Sequence, residues 1–278
     1  MAKCRCRATL IGMDPADLFA HDYEAPPATP AATLVIFRHA PAGGAPQVLM
    51  VQRAKEMRFA GGAAVFPGGR VDDADRALAQ QLGATGTDTI DEQAARIAAV
   101  RETLEETGLA VGFHQHPSLA DARRAREVLL HSGERAPMLT ELGWTLDLDR
   151  LVPFSRWRPK HKEIRVFDTR FYLADLGTGA VDLKVDDTEN THLFWASAAE
   201  ALAMADRGEI KVIFPTRRNL ERLAQFNAYG DALSHVAEFP SQMITPFMET
   251  REGERWLVIP ADAGYPVDGE KLESAARG

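Results

Sequence analysis

Nine consecutive residues, Arg101-Glu102-Thr103-Leu104-Glu105-Glu106-Thr107-Gly108-Leu109, constrain this chain more than any others. Read as helix, they put Glu102, Glu105 and Glu106 at i, i+3 and i+4, where side chains are neighbours on one face. Like charges at that spacing destabilise a helix by about 0.2–0.5 kcal/mol per pair. Ile97, Val100 and Leu104 fall on the opposite face at helical spacing. Such a helix lays its apolar stripe on another layer and turns the carboxylates toward a cleft. Gly108 ends it at the position where left-handed backbone is favoured, and Arg101, one turn before Glu105, can neutralise and aim that side chain. A carboxylate patch of this kind is either a solvated acidic face or a seat for a hard divalent cation. Such a cation takes oxygen ligands and is commonly held by one or two carboxylates plus substrate phosphates.

Upstream, Ala63-Ala64-Val65-Phe66-Pro67-Gly68-Gly69-Arg70-Val71 is a short apolar run into a Pro-Gly-Gly turn, where the missing Cβ lets backbone approach a ligand closely. The pair of segments resembles the Nudix hydrolase box, G-x5-E-x7-R-E-U-x-E-E-x-G-U with U aliphatic. The match runs through Gly69, Arg101, Glu102, Glu105, Glu106, Gly108 and Leu109. Thr103 stands at the first U position and can bury its methyl. The spacing departs further: the family has 13 residues between the Gly and the Arg, and here Arg70 to Val100 makes 31, an insertion of 18. Counting back eight from Arg101 lands on Gln93, with Glu92 beside it. Thr89-x-x-Glu92 reads as a capping box, which gives Glu92 a structural job.

The resemblance implies an α/β fold, the Nudix α/β/α sandwich with a mixed sheet, carrying helical insertions at about 70–90 and 115–150. Residues 31–278 are expected to form a single Nudix hydrolase domain after an N-terminal lead-in over 1–30, rich in Pro and Ala. The implied chemistry is metal-dependent attack of water on a pyrophosphate phosphorus. Mg²⁺ or Mn²⁺ would be held by Gly69, Glu102, Glu105 and Glu106. Arg101, Glu105 and Glu189 are the catalytic candidates. Glu189 lies in an acidic loop just before the strand His192-Leu193-Phe194-Trp195, where the family supplies a further glutamate, with His192 and Asp187 behind it. Arg53, closing a strand, and Arg70 are the candidate substrate-binding residues, since a guanidinium takes phosphate bidentately.

A second, less specific resemblance lies in Leu151-Val152-Pro153-Phe154-Ser155-Arg156-Trp157-Arg158-Pro159 and Arg165-Val166-Phe167-Asp168-Thr169-Arg170-Phe171-Tyr172. These phrases are similar to a coenzyme A diphosphatase-like subgroup that also has the long box insertion. The expected partner is then a small-molecule nucleoside diphosphate derivative, coenzyme A or acyl-coenzyme A first among them. The segment Arg53-Ala54-Lys55-Glu56-Met57-Arg58-Phe59 does not match the upstream signature of many coenzyme A members. ADP-ribose, NADH and dinucleoside polyphosphates therefore stay open, as does a non-catalytic nucleotide-binding module of the same fold. The intact glutamate set argues against that last reading.

Composition narrows the classes. A formal net charge of −8 with well-mixed signs argues against nucleic acid as partner. No apolar run approaches a membrane span, so no membrane partner is expected. The two cysteines, Cys4 and Cys6, form a lone Cys-x-Cys, too little for a zinc site, and their scarcity fits a reducing, cytoplasmic setting. A homodimer is compatible with the resemblance.

The remaining elements follow from pattern. Thr33–Arg38 and Gln47–Arg53 are β-rich runs around a Pro/Gly turn, hence a hairpin. Asp73–Leu82 reads as a helix stopped by Gly83. Leu109-Ala110-Val111 reads as the start of a strand or turn. Asp121–His131 is a charged helix whose Arg123, Arg124 and Arg126 form a polar side, and Pro137–Glu141 begins a further helix or loop. Arg165–Ala174 is a strong strand, Ser197 caps a helix to Arg207, and Arg217–Phe226 forms another. Ile244–Phe247 and Arg255–Pro260 make a late hairpin around Glu252-Gly253-Glu254.

Overall fold

The computed structural model describes residues 27–54, 60–83, 88–132, 135–160, 166–177 and 190–275. Its centre is a parallel pair, β1 (Thr29–Arg38) beside β6 (Phe167–Asp175), in register from Thr29↔Phe167 to Phe37↔Asp175. On one side of β1 lie β2 (Gln47–Arg53) and, at its N-terminal end, β4 (Gly68–Arg70). β3 (Ala64–Val65) and β7 (Asn190–Ser197) pair with β2. On the other side β6 pairs with β5 (Val152–Trp157), and β5 with β8 (Met243–Ile244). The sheet is mixed and has eight strands among the described residues.

Both faces of this sheet are covered, which is why its central strands are continuous apolar runs rather than alternating ones. Leu34, Ile36, Leu49, Val51 and Tyr172 face α2 (Ile90–Thr107), packing with its Ala95, Ala98, Ala99 and Leu104. Val35, Phe37, Val48, Met50, Phe171 and Leu173 face the other layer, where Leu220 and Leu223 of α6 (Phe214–Leu223) and Phe226 join them. The expected α/β/α sandwich with a mixed sheet is the architecture seen.

The insertion supplies α1 (Asp73–Leu82), capped by Asp72 and packed on α2. A second excursion supplies α3 (Leu119–Ser132) and α4 (Arg135–Leu142). α3 packs on α2, and α4 on both α1 and α3. Beyond β7 come α5 (Ala198–Asp206), opened by a Ser197–Glu200 capping box, then α6 and α7 (Tyr229–Glu238). The C-terminal part adds a three-stranded antiparallel sheet of β9 (Phe247–Arg251), β10 (Glu254–Val258) and β11 (Gly269–Lys271), and the short α8 (Leu272–Ala275). Two buried arginines of α6 meet it: Arg218 through the Gly269 carbonyl and Arg222 through the face of the Tyr265 ring. Arg218 donates to the Gly269 carbonyl at 3.1 Å, and Arg222 to those of Phe154 and Phe239, each at 3.0 Å.

Three expectations shift. β1 begins at Thr29, inside the stretch read as lead-in, because Thr29 N–H donates to the Val166 carbonyl and Val71 N–H to that of Pro30. Leu109–Val111 is not a strand; the region is tied down by one bridge, Phe113 to Leu146. The late hairpin starts at Phe247, with Glu252 and Gly253 at its turn in left-handed backbone.

Candidate active site

α2 is capped at its start by Thr89, whose hydroxyl accepts from Glu92 N–H at 3.2 Å, and at its end by Gly108, left-handed at φ 74°, whose N–H returns to the Leu104 carbonyl. Its last two turns lie against β4. A Cβ built on Gly69 would run into the Glu102 carboxylate, so a larger residue here would displace that side chain from its present place. Gly68 N–H donates to Glu106 Oε2 at 3.0 Å. Glu102 and Glu105 converge on one nitrogen, Arg101 Nη1, each at 2.8 Å. The structure thus brings Gly69, Arg70, Arg101, Glu102, Glu105 and Glu106 into one group. Arg70 contributes its carbonyl, which accepts from Arg101 Nη2 at 2.9 Å, while its side chain is exposed. Arg53 stands at the end of β2 and makes no hydrogen bond to this group among the described residues. Glu189 and Asp187 lie outside the described residues; His192 is on β7 and stacks with Phe194.

The side chain that anchors Arg101 escaped the sequence reading. Asp75 of α1, fully buried, accepts from Arg101 Nε at 3.1 Å and Nη2 at 3.0 Å. Burial pushes the Asp75 carboxyl up, against the pull of Arg101 and Arg135. Arg101 is buried too, which works against its charge, yet Glu102 and Asp75 hold its pKa above the ordinary value. Counting forward from Gly69 through five residues reaches Asp75, an aspartate at the box glutamate's place, so the insertion falls between the box acid and Arg101. Counting back from Arg101 crosses the insertion and misses it. Glu92 is elsewhere: its carboxylate accepts from Arg170 Nε at 2.9 Å and from Tyr172 O–H at 2.6 Å. Glu102 lies ten steps further along the helix, about 15 Å along the axis. Half of the expected capping box is present, Thr89 to Glu92 N–H; the Glu92 carboxylate ties the helix start to β6 instead of closing the box.

The donors are carboxylates beside a backbone carbonyl, a set that suits a hard divalent cation. Burial, with the charge of Glu105 adding to it, outweighs Arg101 and lifts the Glu102 carboxyl to about 7. Burial likewise raises that of Glu105. Such poorly solvated carboxylates gain from a second positive charge. As the side chains lie, no group of three or more His, Cys, Asp or Glu among the described residues is arranged as a ligand cluster. Arg101 Nη1 takes the cationic place between Glu102 and Glu105, and the bonds of Arg101 to Asp75 and Arg70 would keep it anchored when both glutamates turn to a metal. On donor chemistry the residues fit the ion.

A family model for the NUDIX domain matches residues 28–216. The chain belongs to the Nudix family. It is similar to the acyl-coenzyme A diphosphatase NUDT19 of Gallus gallus, 27% identical over 294 aligned residues, covering 81% of this chain and 75% of the relative. It is also similar to the crystal structure of a NUDIX hydrolase from Alicyclobacillus acidocaldarius, with a TM-score of 0.61 and 28% identity over 75% of this chain and 96% of that one. As a Nudix protein with Glu102, Glu105 and Glu106 all present, the chain is an enzyme, a pyrophosphohydrolase acting on phosphoric anhydride bonds. No helix among the described residues is long and apolar enough to cross a membrane.

Proposed function

We propose that this Nudix protein hydrolyses a nucleoside diphosphate linked to another moiety, with coenzyme A or acyl-coenzyme A as substrate, cut at the pyrophosphate. The reading is carried by the group in which Glu102 and Glu105 meet on Arg101 while Glu106 is fixed by Gly68 N–H against the Gly69 strand. Mg²⁺ or Mn²⁺, held by Glu102, Glu105, Glu106 and the Gly69 carbonyl, would neutralise the diphosphate and polarise the attacking water. Phosphoryl transfer depends on positioning and charge neutralisation, so no Ser or Cys nucleophile is required. Glu105, about one fifth exposed and raised by burial, is suited to take a proton from water. Arg101 aims Glu105, and Arg53 and Arg70 supply guanidiniums for phosphate. Residues 31–278 act as one hydrolase domain with insertions at about 70–90 and 115–150.

The coenzyme A assignment is supported by the similarity to the chicken acyl-coenzyme A diphosphatase, which extends over 81% of this chain. The test is hydrolysis of a panel in Mg²⁺ or Mn²⁺, before and after EDTA: coenzyme A, acyl-coenzyme A, ADP-ribose, NADH, diadenosine polyphosphates and nucleoside triphosphates. Glu106→Gln is the blank. Preference for coenzyme A species is expected. Preference for another diphosphate overturns the substrate, and nucleotide binding with no turnover overturns the reaction. A Glu105→Gln protein with near-normal turnover removes Glu105 as the base.

A further inference from the structure

We propose that Arg135, the first residue of α4, is a positioning residue for the glutamate group, an inference that rests on the hydrolase reading above. Arg101 has five N–H donors, and four of them make hydrogen bonds. Nε and one Nη2 hydrogen go to Asp75, the other Nη2 hydrogen to the Arg70 carbonyl and one on Nη1 to Glu105, while Nη1 is also ion-paired with Glu102 at 2.8 Å. One guanidinium therefore faces three carboxylates, two of which the chemistry needs for a metal. The imbalance is met from outside the box. Arg135, itself only 8% exposed, donates from Nε to Asp75 Oδ1 at 3.1 Å and pairs through Nη2 with Asp72, the cap of α1. Asp72 N–H adds a bond to Asp75 Oδ2 at 3.0 Å. Asp75 thus has a positive charge of its own besides Arg101.

The result is a line of alternating charge, Asp72–Arg135–Asp75–Arg101–Glu102/Glu105, running from α4 through α1 into α2. Arg126 of α3 makes a second attachment, donating from Nε to the Glu105 carbonyl at 2.8 Å, at the helix end where carbonyls lack intrahelical partners. The α3–α4 excursion therefore bears on the glutamate group at two points. In sequence Arg123, Arg124 and Arg126 read as the polar side of a charged helix. Lysine at 135 would keep the charge and lose the fork that spans Asp75 and Asp72.

The test compares the full chain with Arg135→Lys, Arg135→Met and, as control, Arg124→Ala, which removes an exposed pair with Glu141. Three readouts are taken: Mn²⁺ affinity from the electron paramagnetic resonance of the free ion, kcat and KM for the best substrate of the panel, and the arginine Nε–H signals of metal-free protein. Loss of second-layer partners costs about 10–100-fold in metal affinity or activity. Arg135→Lys is expected to fold, to bind Mn²⁺ about tenfold more weakly, and to lose about tenfold in kcat with KM unchanged. The slowly exchanging Arg101 Nε–H signal should also be lost. If Arg135→Met does not fold, Arg135→Lys decides. An Arg135→Lys protein matching Arg124→Ala in Mn²⁺ affinity, kcat and the Arg101 signal overturns the proposal. If wild type turns over no diphosphate yet the variant still weakens Mn²⁺ binding, the hydrolase reading fails and the positioning role stands. If wild type binds no Mn²⁺, both fail.

Discussion

At Gly69 one hydrogen stands where any other residue would drive a carbon into the Glu102 carboxylate. Gly69→Ala should leave the fold intact by circular dichroism and reduce turnover on the order of 100-fold, since about 1 Å of misplacement can cost that much. Turnover within twofold of wild type would show that Glu102 has room to move. Asp75 tests a different quantity. It is fully buried between two guanidiniums, and Asp75→Asn removes the one carboxylate they share, leaving Arg135 with Asp72 and Arg101 with Glu102 and Glu105. Breaking a buried ion pair from one side costs about 3–5 kcal/mol, to be read as a shift in the urea midpoint at unchanged slope. The glutamates were legible because three like charges on one helical face need a reason. Asp75 was obscured only by the end of the box from which the residues are counted. Arg135 was invisible, since its contact lies 60 residues away in sequence and no local pattern encodes it.

At the scale of elements, the β5–β6 pair sets Arg156 directly opposite Arg170. Like charges facing each other across a strand pair are destabilising, and each arginine here has its own acid. Arg156 forks onto Asp168 at 2.7 and 2.6 Å, and Arg170 holds Glu92. Burial alone would raise the Asp168 carboxyl, but the hydrogen bonds and charge of Arg156 hold it below the usual range. A carboxyl depressed by folding contributes stability above its unfolded value of about 3.9 and loses it as pH falls through the folded value. Asp168→Asn should therefore melt well below wild type at pH 6, with the gap closing as pH drops below 4. A constant gap would mean that packing, not charge, is what the substitution removes. Helices with a capping signal were legible, Asp73–Leu82 and the one after Ser197 among them. Two- and three-residue strands such as β8 and β11 carry too few residues to show a period, and only tertiary pairing makes them strands.

For the whole molecule, the C-terminal sheet is not an appendage. Leu257, Ile259 and Leu272 belong to the same buried cluster as Val35 and Phe171, and Tyr265 bonds Asn219 at 2.7 Å while accepting from Trp157 at 3.2 Å. A chain ending at residue 240 should be insoluble, or melt more than 10 °C lower, at the scale of about 2–4 °C per kcal/mol for a large domain. A soluble truncate with an unchanged melting curve would make the C-terminal part separable. A late hairpin could be read in the sequence but not its attachment, because Arg218 on the Gly269 carbonyl and Arg222 over the Tyr265 ring leave no pattern of residue types.

The parallel pair at the centre has a consequence in time. Thr29 and Phe167 are partners, 138 residues apart. At ribosomal speeds of about 5–20 residues per second, β1 waits roughly 7–30 s before its neighbour is even made. Through that interval Leu34-Val35-Ile36-Phe37 is an apolar β-former with one flank unpaired, the kind of edge that recruits other chains. The growing chain, more than the finished enzyme, is what a cell would have to shelter. Slowed synthesis should therefore raise the aggregated fraction, while a charge introduced at Leu34 would relieve it only by sacrificing the fold.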